Sequence, residues 1–208
     1  MSLPDPTARE LSAELHRVGA VRFGDFMLKD GRRSPFYLDL RILVSHPTAL
    51  ARVGRAMLHE AAALRFDRIA GIPYAGLPIA VAMALIGERP MIYARKEAKG
   101  YGTRRSIEGE YAAGEHALLV DDVITSGGAK LEAASPFREA GLLVEDVLVV
   151  IDRSGSSGPV RLATAGMRLH SLLDAPTLLG LLQEDGRVSA NDASRALDFL
   201  NDTSSDPE

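Results

Sequence analysis

Cysteine is absent from this chain. That excludes disulfides and thiolate metal sites, and it is compatible with a reducing compartment. Long apolar runs are missing too, and none approaches the length that spans a bilayer. The amino end, MSLPDPTARE, lacks the basic and apolar regions of a secretory signal, so a cytoplasmic protein with no membrane partner is expected. Without a secretory route, the sequon Asn201-Asp202-Thr203 is a chance match. Net positive charge is lacking as well: the formal charge of −4 argues against broad nucleic-acid binding. There is no internal repeat.

What is present is apolar material, 46% of 208 residues, enough to bury one sizeable core. The charge is unevenly spread. From Arg95 to Arg105 stand five cations, Arg95, Lys96, Lys99, Arg104 and Arg105, against the single acid Glu97. An acidic chain that gathers cations in one segment has a place for an anion there.

The stretch His116 to Leu131, HALLVDDVITSGGAKL, organises the rest. Ala117 to Val120 form a continuous apolar run, as expected of a strand buried on both faces of a parallel sheet. Asp121 and Asp122 follow at its carboxyl end, where open α/β sheets place their ligands. Thr125, Ser126, Gly127 and Gly128 then offer hydroxyls and unobstructed backbone N–H groups ahead of a helix. Such a turn suits a phosphate. The string is not a Walker loop, since GxxxxGK[ST] is absent. A phosphate beside two acids points to a phosphorylated sugar, with the acids taking ribose hydroxyls.

Taken in order, the chain predicts a first helix over 6–18, ended by Gly19, and two short strands, Val21 to Leu28 and Phe36 to Leu40, around an Asp30-Gly31 turn. These make a small hood outside the main sheet. A helix over 47–64 opens on Pro47. Strands at 68–72, 90–94, 117–121 and 144–151 alternate with helices or loops, giving repeated βαβ units. The segment after Ala94 is a long, polar, glycine-punctuated loop, and Gly100 and Gly102 around Tyr101 would let it move as a lid. Asp152-Arg153 ends a strand on the ligand side. SGSSG, residues 154–158, reads as a flexible connection, followed by a last strand at 168–173 and helices over 176–183 and 190–200. The expected division is a hood over 1–45, an α/β core over 46–175, C-terminal helices over 176–200 and a disordered tail over 201–208.

The acid-pair string resembles the phosphoribosyl-pyrophosphate (PRPP) motif of type I phosphoribosyltransferases. Together LKDGRRSPFYLDLR, IPYAGLPIA, ARKEAKGYGTRRSIEGEY, LLVDDVITSGG and VIDR resemble the orotate phosphoribosyltransferase family, over residues 20 to 155 and in the same order. The resemblance implies an α/β fold with a mostly parallel central sheet flanked by helices. It implies transfer of ribose 5-phosphate from PRPP to orotate with Mg²⁺ present, the ion being held mainly by substrate oxygens and by no side chain directly. Arg95, Lys96 and Lys99 become pyrophosphate and lid cations, with Lys99 aiding departure of the leaving group. Tyr74, Ala75 and Tyr101 border the same group. Asp121 and Asp122 hold the ribose, Val123 and Ile124 belong to the PRPP site, and Thr125, Ser126, Gly127, Gly128 and Ala129 wrap the 5′-phosphate. Lys29, Phe36, Tyr37, Thr125 and Arg153 are implied for orotate, Arg153 because a guanidinium fork suits a carboxylate. A homodimer sharing its lid between subunits is implied as well.

Two departures stand out. Many members have His where this chain has Tyr101, and a tyrosine, with an ordinary pKa of about 10, is a poor proton shuttle at neutral pH. Many also have Lys where this chain has Ala75, so one pyrophosphate cation is missing unless Arg104 or Arg105 replaces it. The competing readings are a transferase for another base and a PRPP-sensing regulator on the same fold. A neutral base would leave Lys29 and Arg153 without purpose. A regulator would need a basic surface for nucleic acid, and no basic helix supplies one.

Overall fold

The structure, a computed structural model, describes residues 7–28, 31–95 and 106–203. Helix α1 (Ala8–Arg17) opens on a capping box in which Thr7 and Glu10 satisfy each other's backbone N–H groups. The antiparallel strands β1 (Val21–Met27) and β2 (Arg33–Leu38) form the hood, with a bulge between Phe23 and Phe26. After a 3₁₀ turn come α2 (Pro47–Glu60), β3 (Arg68–Gly71), α3 (Gly76–Gly87), β4 (Met91–Ala94), β5 (Ile107–Glu108) and β6 (His116–Ile124). The chain continues as α4 (Gly128–Glu139), β7 (Leu143–Asp152), α5 (Ser157–Thr164), β8 (Arg168–Asp174), α6 (Ala175–Glu184) and α7 (Ala190–Thr203).

The main sheet has the order β5-β4-β3-β6-β7-β8. All its neighbours are parallel except β4 and β5. Strands buried on both faces must be apolar at every position, and β6 meets that demand by alternation. Leu118 and Val120 enter a core with α2, α3, α6 and the hood, while Ala117 and Leu119 enter a second core with α4 and α5. The result is a three-layer α/β arrangement with a mostly parallel central sheet flanked by helices, and the hood rests on the first of the two cores.

Four details differ from expectation. β6 runs past the acid pair to Ile124, because Asp121, Val123 and Ile124 still pair with Val149, Ile151 and Asp152 of β7. Ile107–Glu108 return antiparallel to β4, so the cationic segment leaves the sheet and re-enters it beside its starting point; Arg95 N–H donates to the Ser106 carbonyl at 2.8 Å. SGSSG is no loose connection, since α5 begins inside it. Ser154 is buried and its Oγ donates to Asp152 at 2.5 Å, and a Cβ on Gly158 would lie 2.1 Å from that oxygen. The small residues there serve tight packing. Finally, α7 continues through Asn201–Thr203, three residues assigned by sequence to the tail.

Candidate active site

The site is assembled at the carboxyl ends of β3, β4, β6 and β7. Here the βα turns leave helix ends without side-chain caps. No side chain caps α3 at Ala75 or α4 at Gly127, whereas Thr7 caps α1 and Asp174 caps α6. The first N–H groups of a helix have no intrahelical acceptor, so the uncapped turns present donors to a ligand. Gly127 adopts φ +85°, a left-handed conformation natural to glycine, and thereby turns the chain from β6 into α4.

A cavity of about 440 Å³ lies against this edge, lined among others by Ile72, Pro73, Arg95, Asp121, Ala129 and Glu132. It brings the β3 turn, the end of β4, the first acid of the pair and the start of α4 onto one space. Gly76 makes the approach of α3 feasible. A Cβ there would sit 2.4 Å from the Val120 carbonyl and 3.0 Å from Asp121 Cα. Arg95 is half-buried and its guanidinium pairs with Glu108 at 2.9 Å across the β4–β5 pair. A candidate pyrophosphate cation is thus held at the base of the cationic segment.

The two acids do not share one environment. Asp121 is buried; its Oδ2 accepts from Lys130 Nζ and its Oδ1 from the Asp122 N–H at 2.9 Å. Sequence reasoning passed over Lys130, although a lysine in the first turn of a helix opposes the helix dipole and so signals a local acid. Asp122 accepts from the Val123 N–H at 2.7 Å. Burial pushes its carboxyl up to about 6, the charge on Asp121 adds to the rise, and the Val123 N–H and Lys130 oppose it. The two carboxyls stay within reach of each other, and what separates them is the partner each has: Lys130 for Asp121, a backbone N–H for Asp122.

Of the phosphate-turn residues, Thr125 and Ala129 are exposed, Ser126 and Gly128 half-buried and Gly127 buried. Val123 and Ile124 take a different part from the one expected. Ile124 is fully buried in the core and its carbonyl accepts the Arg153 N–H at 3.0 Å, while the Val123 carbonyl accepts from Lys130 at 2.8 Å. They form the frame of the turn and offer their carbonyls to the protein.

The candidate base pocket also needs correction. Phe36 and Tyr37 are neighbours in β2, so their side chains leave on opposite faces of the ribbon. Phe36 is 1% exposed, with the Arg153 guanidinium 5.4 Å from its ring centre. Tyr37 packs instead with Phe26 and Arg22, its ring 5.5 Å from that of Phe26. Phe36 therefore supports Arg153 by a cation–π contact and has almost no surface left for a ligand ring. Behind it, Phe199 of α7 meets Phe36 edge-on at 6.3 Å. That contact was not readable in the sequence, because nothing local ties residue 199 to residue 36. Tyr74 is exposed and Ala75 half-buried beside the cavity. Lys29, Lys96, Lys99, Tyr101, Arg104 and Arg105 lie outside the described residues.

No protein-family model matches the chain. Relatives are nevertheless clear. The chain is 47% identical over 182 residues to the orotate phosphoribosyltransferase of Cenarchaeum symbiosum, covering 85% of this chain and 90% of that protein. Among solved structures, the UMP synthase of Leishmania donovani superposes with a TM-score of 0.86 at 35% identity, over 95% of this chain and 43% of that one. This chain therefore spans under half of that larger protein. The Mycobacterium tuberculosis orotate phosphoribosyltransferase in complex with PRPP superposes with a TM-score of 0.67 at 28% identity, over 83% of this chain and 99% of that one.

Proposed function

The chain belongs to the orotate phosphoribosyltransferase family, enzymes of pyrimidine biosynthesis that move the 5-phosphoribosyl group of PRPP onto orotate, and on that premise we propose how its residues divide the work. The observation that carries the assignment is the cavity at the sheet's carboxyl edge, where Asp121, Arg95 and Ala129, in the first turn of the uncapped helix α4, meet. Its parts match the parts of PRPP. Thr125 to Ala129 receive the 5′-phosphate at the amino end of α4, the acid pair receives the ribose hydroxyls, and Arg95, with Lys96, Lys99 and Tyr101 beyond it and the turn at Tyr74 and Ala75 opposite, meets the pyrophosphate.

The bond from the anomeric carbon to pyrophosphate breaks through a transition state with oxocarbenium character. Negative charge grows on the leaving group, and cations held over it lower the barrier most where water is excluded. Lys99 is assigned that task. Orotate is flat and anionic; Arg153, braced on Phe36, answers its carboxylate together with Lys29, and Thr125 and the backbone of Tyr37 are assigned to the same ligand. A base that carries a carboxylate accounts for an arginine fixed there by an aromatic ring. The hood, residues 1–45, thus covers the base, and the core, residues 46–175, holds PRPP.

The site also fits Mg²⁺ held mainly through pyrophosphate, ribose and water oxygens and by no side chain directly, because Asp121 leaves an acidic wall on a cavity of about 440 Å³. When bound, it would offset charge on the pyrophosphate, while Asp121 and Asp122 orient the sugar. A homodimer is supported by α3, GLPIAVAMALIG, which is apolar all round yet leaves Val81 44% and Leu85 76% exposed. A helix of that kind has its outer face covered by another protein surface. The cytoplasm is the proposed location, in keeping with the cysteine-free composition; among the described residues no helix is long and apolar enough to cross a membrane.

The deciding experiment is a PRPP-dependent assay that follows orotate beside adenine, guanine, hypoxanthine and uracil. Consumption of orotate alone is expected; preference for a neutral base would overturn the assignment of Arg153.

A further inference from the structure

Lys130 is the least expected charge in the molecule. Its side chain is 7% exposed, it sits in the first turn of α4, where the helix dipole disfavours a cation, and it reaches back to β6. A buried ammonium is tolerable only when paired and hydrogen-bonded. Lys130 Nζ meets both conditions, donating to Asp121 Oδ2 and to the Val123 carbonyl at 2.8 Å. Since Asp121 Oδ1 accepts the Asp122 N–H, both oxygens of Asp121 are engaged within the protein. Asp122 accepts from the Val123 N–H, and its other close polar neighbour is the Asp121 carboxyl.

We propose that Lys130 is a positioning residue for phosphoribosyl transfer: it ties the Asp121 carboxylate to α4 and leaves Asp122 as the acid that receives the sugar hydroxyls. The inference rests on the transferase reading above. Two adjacent carboxylates on a buried strand end repel each other, and the first proton they take up belongs to the pair. An internal cation next to one of them lowers that repulsion before any substrate or metal arrives. Arg95 after β4, Asp121 of β6 and Glu132 of α4 line the cavity, and Lys130 reaches Asp121 from the first turn of α4. The arrangement also links the sugar to the phosphate turn, because one side chain joins β6 to the first turn of the helix whose amino end faces the 5′-phosphate.

The test compares wild type with Lys130→Met, Lys130→Gln and Lys130→Arg. For each, kcat/KM for PRPP is followed against pH, PRPP affinity is measured by calorimetry over the same range, and the melting temperature is recorded. Without the cation, kcat/KM at neutral pH should fall by about ten- to a hundredfold, the scale of losing a hydrogen bond to a charged group. The acid limb should move to higher pH in the Met and Gln variants and stay in place in the Arg variant, even where the larger side chain slows the reaction. A merely structural role would lower the melting temperature and leave the limb unmoved. If Lys130→Met does not fold, Lys130→Gln, which can still donate to both oxygens, separates charge from hydrogen bonding. A folded neutral variant with an unmoved limb and kcat/KM within twofold of wild type overturns the proposal, as does an Arg variant whose limb shifts as far as that of Met. Should wild type bind PRPP but leave orotate untouched, the transferase reading fails, and the pH dependence of PRPP affinity still decides the role of Lys130.

Discussion

At the amino ends of the central strands, acids stand beside cations. Glu115 holds Arg68 through two bonds of 2.8 and 2.6 Å, and Asp67 accepts the His116 N–H at 2.8 Å. Asp146, 4% exposed, accepts from Arg168 at 2.8 and 2.7 Å and from His170 at 2.8 Å. At the carboxyl ends of the same strands, two acids are adjacent in β6 and share one lysine. The consequences are opposite. Burial works against the charge of Asp146, but its hydrogen bonds from Arg168 and His170 outweigh that cost and hold its carboxyl below the ordinary range. Burial and Asp121 together lift Asp122 to about 6. One end of the sheet uses acids to hold the fold; the other keeps an acid costly to ionise, as a binding site does.

The contrast breaks most sharply at Asp122. Asp122→Asn should lower kcat/KM by about a hundredfold or more while leaving the melting temperature unchanged or higher, because it removes a strained charge together with a ligand contact. Steady-state kinetics beside calorimetry would show it, and an active variant would remove Asp122 from the site. Gly76→Ala is expected to damage both properties, since the new Cβ meets the Val120 carbonyl and α3 must retreat from Asp121. A stability loss of about 1–3 kcal/mol, as for overpacking, should accompany a rise in KM for PRPP.

Asp146→Asn should do the reverse of Asp122→Asn: about 2 kcal/mol of stability lost, read as a melting point lower by roughly 4–8 °C, with kcat/KM within twofold. The pH dependence sharpens the comparison. Asp146 has a depressed folded pKa, so its contribution is present above the unfolded value and lost as pH falls through the folded one. Asp122 has a raised folded pKa, so the folded state binds its proton more readily; stability from this group falls as pH rises from the unfolded value to about 6. Urea titrations across pH 3 to 7 should show the first slope vanish in Asp146→Asn and the second in Asp122→Asn. The smallest effect is assigned to Phe199→Ala. Loss of its edge contact with Phe36 should raise KM for orotate about three- to tenfold with KM for PRPP unchanged, in line with an aromatic pair worth about 1 kcal/mol.

Much of the fold was readable. The apolar run before Asp121, the helix opening at Pro47 and the strands near 68, 91 and 143 follow from local period and punctuation, and each lies within a few residues of its expected place. Local pattern failed where packing decides. SGSSG has the composition of a linker, yet Gly158 is required because Ser154 lies against it. Ile107–Glu108 became a strand only because β4 offers an edge. The site was legible as a set of residue types and not as a geometry. Phe36 and Tyr37, read together as ring contacts, diverge by the two-residue period of a strand, and Asp121 and Asp122 differ because Lys130 reaches Asp121.

The sequence alone determined the chemistry that gathers here: a carboxylate pair after an apolar run, a turn rich in hydroxyls and glycine, and a cationic segment in an acidic chain. Those are properties of neighbouring residues, so they survive in one dimension. Tertiary structure alone decided which acid is anchored, which aromatic ring braces Arg153, and that α7 stands behind Phe36. Each of these depends on contacts between segments whose approach is set by how two apolar cores fill on either side of one sheet, and no local pattern encodes that.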